Sequence, residues 1–188
     1  MDRIEFLKNI AKKLPENPIC IEIGVLDGFF SKRIYEILNP AKLYLVDPWE
    51  VGSDKNTDQK TYSGELSHLN TAYSTNNEYL KVSQLFEKHI TNKKIILKRG
   101  FSYDVVDNFP DQYFDFIYID ATHIYECVKA DLNMYFPKLK KTGLICGHDY
   151  TDHPSFSVIP AVDEFIKENN IKMTLLSGEG DFAIQTIC

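Results

Sequence analysis

The sequence predicts a three-layer α/β domain on a sheet of seven strands, mostly parallel, with the last strand antiparallel. Three observations carry this. Apolar runs of strand length alternate with amphipathic stretches of helical length along most of the chain. Several runs, Phe116-Ile-Tyr-Ile119 and Leu144-Ile-Cys146 among them, are almost continuously apolar, as strands covered on both faces are. The last two runs are joined by Gly178-Glu-Gly-Asp181, which is hairpin chemistry and turns one strand back against the others.

The elements follow in order. Ile4, Leu7, Ala11 and Leu14 recur at helical spacing until Pro15, giving an opening helix over residues 1–15 that packs on the domain as scaffold. The apolar run from Ile19 opens strand 19–25, and Gly24 and Gly28 mark the turn into a helix over about 29–38. Leu43-Tyr-Leu-Val-Asp47 completes strand 42–47, which ends on a carboxylate. A helix over about 77–91, strand 94–99 and a short helix after Ser102 lead to strand 114–120. Helix 123–139, strand 142–147, helix 158–169 and strands 172–177 and 181–187 complete the series. Residues 50–76 break the alternation with Gly52-Ser-Asp-Lys-Asn-Thr-Asp-Gln-Lys60 and Ser74-Thr-Asn-Asn77. A polar connection of that length is either a lid insertion or a disordered link, and its start at Asp47-Pro-Trp49 favours the lid, with Tyr62, His68 and Tyr73 either near substrate or plain surface residues.

At 188 residues, with 44% hydrophobic and 13% aromatic content, the chain fits one globular domain over 1–188. A net charge of -6 argues against a nucleic-acid partner, since the short clusters Lys12-Lys13, Lys93-Lys94, Lys98-Arg99 and Lys138–Lys141 sit mostly at element ends. Cys20, Cys127, Cys146 and Cys188 have no C-x-x-C spacing and read as small hydrophobes in a reducing compartment. No stretch has the length of a membrane span or the h-region of a leader, so a cytoplasmic protein without a membrane partner is expected.

The turn Ile19-Cys-Ile-Glu-Ile-Gly-Val-Leu-Asp-Gly28, followed by a strand ending at Asp47, has the form of a nucleoside-cofactor site. Gly24 and Gly28 let backbone approach a ligand, and Asp47 stands where a ribose diol would bind. The glycine spacing is G-x-x-x-G, which leaves a pyrophosphate without part of its cradle. Glu22 adds a carboxylate suited to an ammonium, so S-adenosylmethionine is favoured over a dinucleotide.

Two neighbouring strand ends carry further chemistry: Asp120-Ala-Thr-His123 and Gly147-His-Asp-Tyr150. Methyl transfer from a sulfonium needs an oxygen nucleophile deprotonated and held in line, and a histidine among carboxylates, with or without a divalent cation, supplies that. Singly, each residue has a plain alternative: Asp120 as a helix cap, His123 as a first-turn surface residue.

Ile117-Tyr-Ile-Asp-Ala-Thr-His123, the segment Pro137–Tyr150 and Ile159-Pro-Ala-Val-Asp-Glu-Phe165 complete a likeness that runs from about Ile19 to the end. The chain resembles class I S-adenosylmethionine-dependent methyltransferases, with their Rossmann-like sheet, and within them the group of macrolide-sugar and cephamycin-type O-methyltransferases. The resemblance implies Glu22, Gly24 and Gly28 around the methionine part, Asp47 on the ribose, and Phe101 and Ser102 at the adenine. It implies His123 as the base, with Asp120 beside it and also bordering the cofactor. It places a divalent metal, magnesium or manganese, at Asp120, His148 and Asp149, where His148 replaces an acidic residue and softens the donor set. Trp49 either flanks the adenine or substrate or simply packs.

The resulting expectation is O-methylation of a small-molecule or sugar hydroxyl, the acceptor a free or glycan-linked alcohol. The sequence does not fix the oligomeric state. Two alternatives are a cofactor-binding module without turnover, which would have no need of His123, and a dinucleotide-dependent oxidoreductase, disfavoured by the incomplete phosphate turn.

Overall fold

In the computed structural model, residues 1–49 and 75–185 are described. The sequence-expected lid at 50–76 therefore lies almost entirely outside the described residues, as do Tyr62, His68 and Tyr73.

Helix α1 (Arg3–Ala11) precedes β1 (Ile19–Ile23), α2 (Phe29–Leu38) and β2 (Lys42–Asp47). Then come α3 (Asn76–Leu85), α4 (Glu87–Thr91), β3 (Ile95–Arg99) and α5 (Ser102–Val105). The remainder is β4 (Phe114–Ile119), α6 (Tyr125–Tyr135), β5 (Leu139–Gly147), α7 (Val158–Asn169), β6 (Lys172–Leu176) and β7 (Phe182–Gln185). The strands form one seven-stranded sheet in the order β3-β2-β1-β4-β5-β7-β6. All pairings from β3 to β5 are parallel, and β7 is antiparallel to both β5 and β6. The expected reversed last strand is thus inserted between its neighbours rather than added at the edge.

The alternation of side chains along each strand divides the core into two layers. Ile21, Ile23, Val46, Ile117 and Ile119 face α5, α6 and α7. Cys20, Leu43, Leu45, Phe116 and Tyr118 face α1, α2 and α3. The same alternation puts Glu22, Asp47 and Asp120 on the α1/α2 side at the carboxyl ends of β1, β2 and β4. That register gathers three carboxylates without any long-range coincidence. The sheet order also turns away on either side of β1 and β4, which makes their carboxyl ends the switch point where ligands settle in such sheets.

Several boundaries differ from the sequence reading. The opening helix ends at Ala11 rather than Leu14. Strand β1 stops at Ile23 because Gly24 takes a left-handed φ of +87°. The helix expected over 77–91 is broken at Phe86, which leaves helical geometry with ψ of +13° and starts a second short helix. The one expected over 123–139 begins only at Tyr125, since Ile124 is extended, and ends at Tyr135. Strand β5 starts at Leu139, three residues earlier than expected. Cys20, Cys127 and Cys146 are buried free thiols, as small hydrophobes in a core are. Among the described residues no helix is long and apolar enough to cross a membrane.

Candidate active site

A cavity of about 400 Å³ opens at the carboxyl ends of β1, β2 and β4, within the range of small-ligand pockets. Glu22, Gly24, Asp47, Phe101 and Ser102 line it, together with Asp120 and His123. Residues read separately from the sequence are therefore brought together on one surface.

Gly24 is the close approach. Its N–H donates to Val46 O at 2.9 Å, and a Cβ built there would stand 2.0 Å from the Asp120 carbonyl oxygen, which is backbone and has no rotamer to yield. Only glycine lets β1 turn beneath the end of β4. Gly28 has a different part: it is not among the cavity-lining residues, and its φ of +79° starts α2 while a Cβ would meet Val82 of α3 at 3.1 Å. The structure thus places Gly28 in a helix contact, beside the cavity-lining Asp27 and Phe29.

Asp47 is 5% exposed and holds the turn together. Its Oδ2 accepts from Val25 N at 2.9 Å and Leu26 N at 3.0 Å, and its Oδ1 accepts from Trp49 N at 3.0 Å. Trp49 is fully buried, donates Nε1–H to Leu26 O at 2.9 Å and packs edge-on to Tyr79. Of its two sequence-level readings, packing is the one the structure supports. Glu22 is 1% exposed and accepts a hydrogen bond from Ser31 of α2. Burial, with further push from Asp120 and Asp47, raises its pKa to about 8 against the pull of Ser31 and Arg3, so its carboxyl is mostly protonated at neutral pH.

Across the cavity, Phe101 stacks on Tyr103 with ring centroids 5.4 Å apart. Ser102 opens α5 and donates Oγ–H to Asp131 Oδ1 at 2.5 Å. Asp131 is a buried carboxylate of α6 that also lines the cavity, and the sequence reading missed it because it lies mid-helix with no motif around it.

The second cluster sits at the ends of β4 and β5. His123 Nε2 lies 2.8 Å from Asp149 Oδ2 and 3.8 Å from Asp120 Oδ1, and the ring packs edge-on to Phe156. The short contact is not aligned for donation, so among the described residues this buried nitrogen has no hydrogen-bond partner. Asp149 reaches it from a left-handed backbone position, φ +58°. Asp120 and Asp149 raise the pKa of His123 to about 9, and the imidazole is a cation at neutral pH. Burial disfavours the charge on Asp149, but the two histidines outweigh it and hold the carboxyl well below its usual range. His148 Nδ1 is 3.2 Å from Asp149 Oδ2 and 4.0 Å from Asp120 Oδ1.

Among the described residues, Asp120, His123 and Asp149 can offer a divalent cation three donor atoms within 4.8 Å of one another. His148 of the sequence-expected set of Asp120, His148 and Asp149 is not part of this trio, although its Nδ1 stands within 4.0 Å of an oxygen of each of the two carboxylates. Two carboxylate oxygens, with the imidazole nitrogen once it has lost its proton, fit such an ion, and the nitrogen favours a borderline metal over magnesium.

Arg3 was the largest omission. Helix α1, read as scaffold, sends Arg3 into the cavity wall, where Nη2 donates to Asp120 Oδ2 and to Tyr118 Oη at 2.8 Å. No sequence signal announces this, since a charged residue in the first turn of a helix is ordinary.

The family model described as a methyltransferase domain matches residues 21–150, more than half of the chain. The chain belongs to this methyltransferase-domain family. The fold agrees. A Corynebacterium glutamicum protein superposes with a TM-score of 0.70 at 14% identity, covering 100% of this chain and 82% of that one. The O-methyltransferase NovP does so at 0.68 and 18%, covering 99% and 80%. A Streptococcus mutans protein in complex with SAH, the demethylated cofactor, superposes at 0.65 and 13%, covering 98% and 96%. At such identities these likenesses speak for the class I methyltransferase fold. Among curated proteins, an uncharacterized protein of Acanthamoeba polyphaga mimivirus is 33% identical over 170 residues, 86% of this chain and 66% of that protein. An uncharacterized protein of Sinorhizobium fredii is 27% identical over 133 residues, 69% of this chain. The methyltransferase-domain chain spans just under two thirds of the first of these proteins and 13% of the second.

Proposed function

We propose that this chain is an S-adenosylmethionine-dependent O-methyltransferase acting as a single domain on a hydroxyl of a small molecule or sugar. The observation that carries the reading is the shared wall: Asp120 and His123, the end of the acid–base cluster, line the same cavity as the Gly24 turn and Asp47. A cofactor seated on the turn places its methyl group beside a base, which a pure binding module does not need.

The residues divide the work by position. Glu22 meets the ammonium of the methionine part, Gly24 lets the backbone pass close to it, and Asp47 faces the ribose while anchoring the turn. Phe101 and Ser102 border the adenine, with Asp131 behind Ser102. His123 faces the acceptor, oriented by Phe156 and by the backbone bond from Ser157 N to His123 O at 2.8 Å. In its neutral form it would take the acceptor's proton as the acceptor oxygen displaces SAH from the methyl carbon, the methyl–sulfur bond breaking as the methyl–oxygen bond forms, and Asp149 and Asp120 stabilise the imidazolium. Asp120 and Asp149 would hold a divalent cation if one binds; with His123 Nε2 as a third ligand the ion, rather than that nitrogen, would activate the acceptor hydroxyl by lowering its pKa and orienting it. The proton on His123 and the ion compete for the same nitrogen and carboxylates, so less ion binds at low pH and chelation is expected to change activity more at high pH than at low pH.

The protonated Glu22 has a measurable consequence. Its folded pKa near 8 stands above the ordinary glutamate value of 4.5, so its contribution to stability is complete below about 4.5 and is lost as pH rises through about 8. Pairing with a cofactor ammonium favours the carboxylate. Binding at pH 7 should therefore release up to about one proton, read as a heat of binding that differs between phosphate and Tris buffers. In Glu22→Gln that buffer dependence should vanish; an unchanged release would take Glu22 away from the ammonium.

The function itself is tested by incubating the protein with S-adenosylmethionine and a panel of sugar, phenol and alcohol acceptors while following SAH formation. Acceptor-dependent SAH supports the reading. Tight cofactor binding with no turnover on any hydroxyl would favour the binding module.

A further inference from the structure

We propose that Arg3 binds the α-carboxylate of the cofactor's amino-acid end and, with Glu22, clamps that end as a zwitterion. The inference rests on the S-adenosylmethionine reading and deepens it. It starts from charge. Five carboxyl groups stand in the cavity wall (Glu22, Asp27, Asp47, Asp120 and Asp131); Arg3 is the lone lysine or arginine among the described lining residues, and the other cation there, His123, faces Asp120 and Asp149. A ligand carboxylate entering such a cavity is repelled unless a cation meets it, and Arg3 is the guanidinium in place.

The guanidinium is also held ready. It lies over the Phe30 ring with Cζ 3.6 Å from the centroid, which fixes its plane. Nε donates to Tyr118 Oη at 3.1 Å and pairs with Asp181 Oδ1 at 3.2 Å, while Nη2 serves Tyr118 and Asp120. Among the described residues Nη1 has no hydrogen-bond partner, so two of the five donors of the fork are left for a ligand. Asp181 is itself fixed by Tyr118 Oη–H at 2.5 Å and by Ser177 Oγ–H at 2.8 Å.

The backbone of Arg3 is anchored from the other side. Its N–H donates to Glu179 Oε2 at 2.9 Å, and Gly178 N donates to Met1 O at 3.1 Å. The first turn of α1 is thereby clipped to the hairpin turn between β6 and β7, and the side chain is ordered before any ligand arrives. Asp120 links the two halves of the site: Oδ2 holds Arg3, and Oδ1 faces His123 and His148. One carboxylate thus ties the residue proposed for the cofactor to the residue proposed for the proton.

The test compares two ligands that differ only in the carboxylate: SAH, and its decarboxylated analogue with the same adenosine, thioether and amine. Binding of each to the full chain is measured by calorimetry for the wild-type protein, Arg3→Gln and Arg3→Lys, with thermal melting to confirm folding. Wild type should prefer SAH by about 10- to 100-fold, the range of charge-assisted hydrogen bonds. Arg3→Gln should bring the preference below about threefold by weakening SAH alone, and Arg3→Lys should keep part of it. If Arg3→Gln weakens both ligands equally and preserves the ratio, Arg3 is only structural and the inference is overturned. A wild type that does not discriminate overturns it too, whatever the variants do. A folded wild type that binds neither ligand overturns both this inference and the cofactor reading, whereas SAH binding with an unchanged ratio leaves the cofactor reading standing.

Discussion

Replacing His123 by alanine is expected to lower methyl transfer by about 10²- to 10⁴-fold, the usual contribution of a general base, while SAH affinity changes little. The residue sits at the rim of the cavity, 30% exposed, and its ring carries no part of the glycine turn or the adenine wall. Its pKa near 9 adds a second signature. At pH 7 the imidazole holds a proton and must lose it before it can accept one, so wild-type activity without added metal should climb with pH and level off near 9. The variant should lose both the rate and that rise. Single-turnover rates between pH 6 and 10 check this, and a variant that keeps the wild-type profile would assign the base elsewhere.

Gly24→Ala is the second large effect, and it acts on binding. An alanine Cβ would stand 2.0 Å from the Asp120 carbonyl oxygen and 2.7 Å from Ala121 Cα, on a backbone with φ of +87°. Neither neighbour is a flexible side chain, so the ends of β1 and β4 must part. Strain and overpacking together are expected to cost about 2–5 kcal/mol of stability, seen in urea unfolding, and SAH affinity should fall by more than about 100-fold. Gly28→Ala is the contrast. Its nearest neighbour is the Val82 side chain at 3.1 Å, so it should cost stability through its φ of +79° and leave the binding of SAH within a few fold. Equal losses of binding in the two variants would mean that the turn as a whole, not Gly24, makes the cofactor wall.

What the sequence made legible follows the range of the interaction involved. The glycine turn, the carboxylate closing β2 and the hairpin at Gly178–Asp181 are local signals, and each names its own backbone geometry. Strand periodicity went further, since the same alternation that buries Cys20 and Tyr118 carries Glu22 and Asp120 to one side. Helix ends were misplaced where a tertiary contact decided them, as at Phe86, buried in the core between α3 and α4. Arg3 and Asp131 were invisible for a related reason. Each is an ordinary charged residue on a helix until the packing of α1 against β4, or of α6 beside α5, gives it a partner more than two dozen residues away. His123 and His148, read from two separate strand ends, both face Asp120 and Asp149, and which ring stands closer is a matter of side-chain direction after the strand ends.

The central claim is that the cavity at the ends of β1, β2 and β4 takes S-adenosylmethionine. Calorimetric titration of the purified chain with S-adenosylmethionine and SAH, with and without chelator, tests it most directly. Saturable binding of both, abolished in Gly24→Ala, is the result this structure predicts, with a chelator effect adding support for an ion at Asp120, His123 and Asp149. Well-folded protein that binds neither ligand, with or without added divalent metal, would contradict the claim and leave a methyltransferase fold without its cofactor.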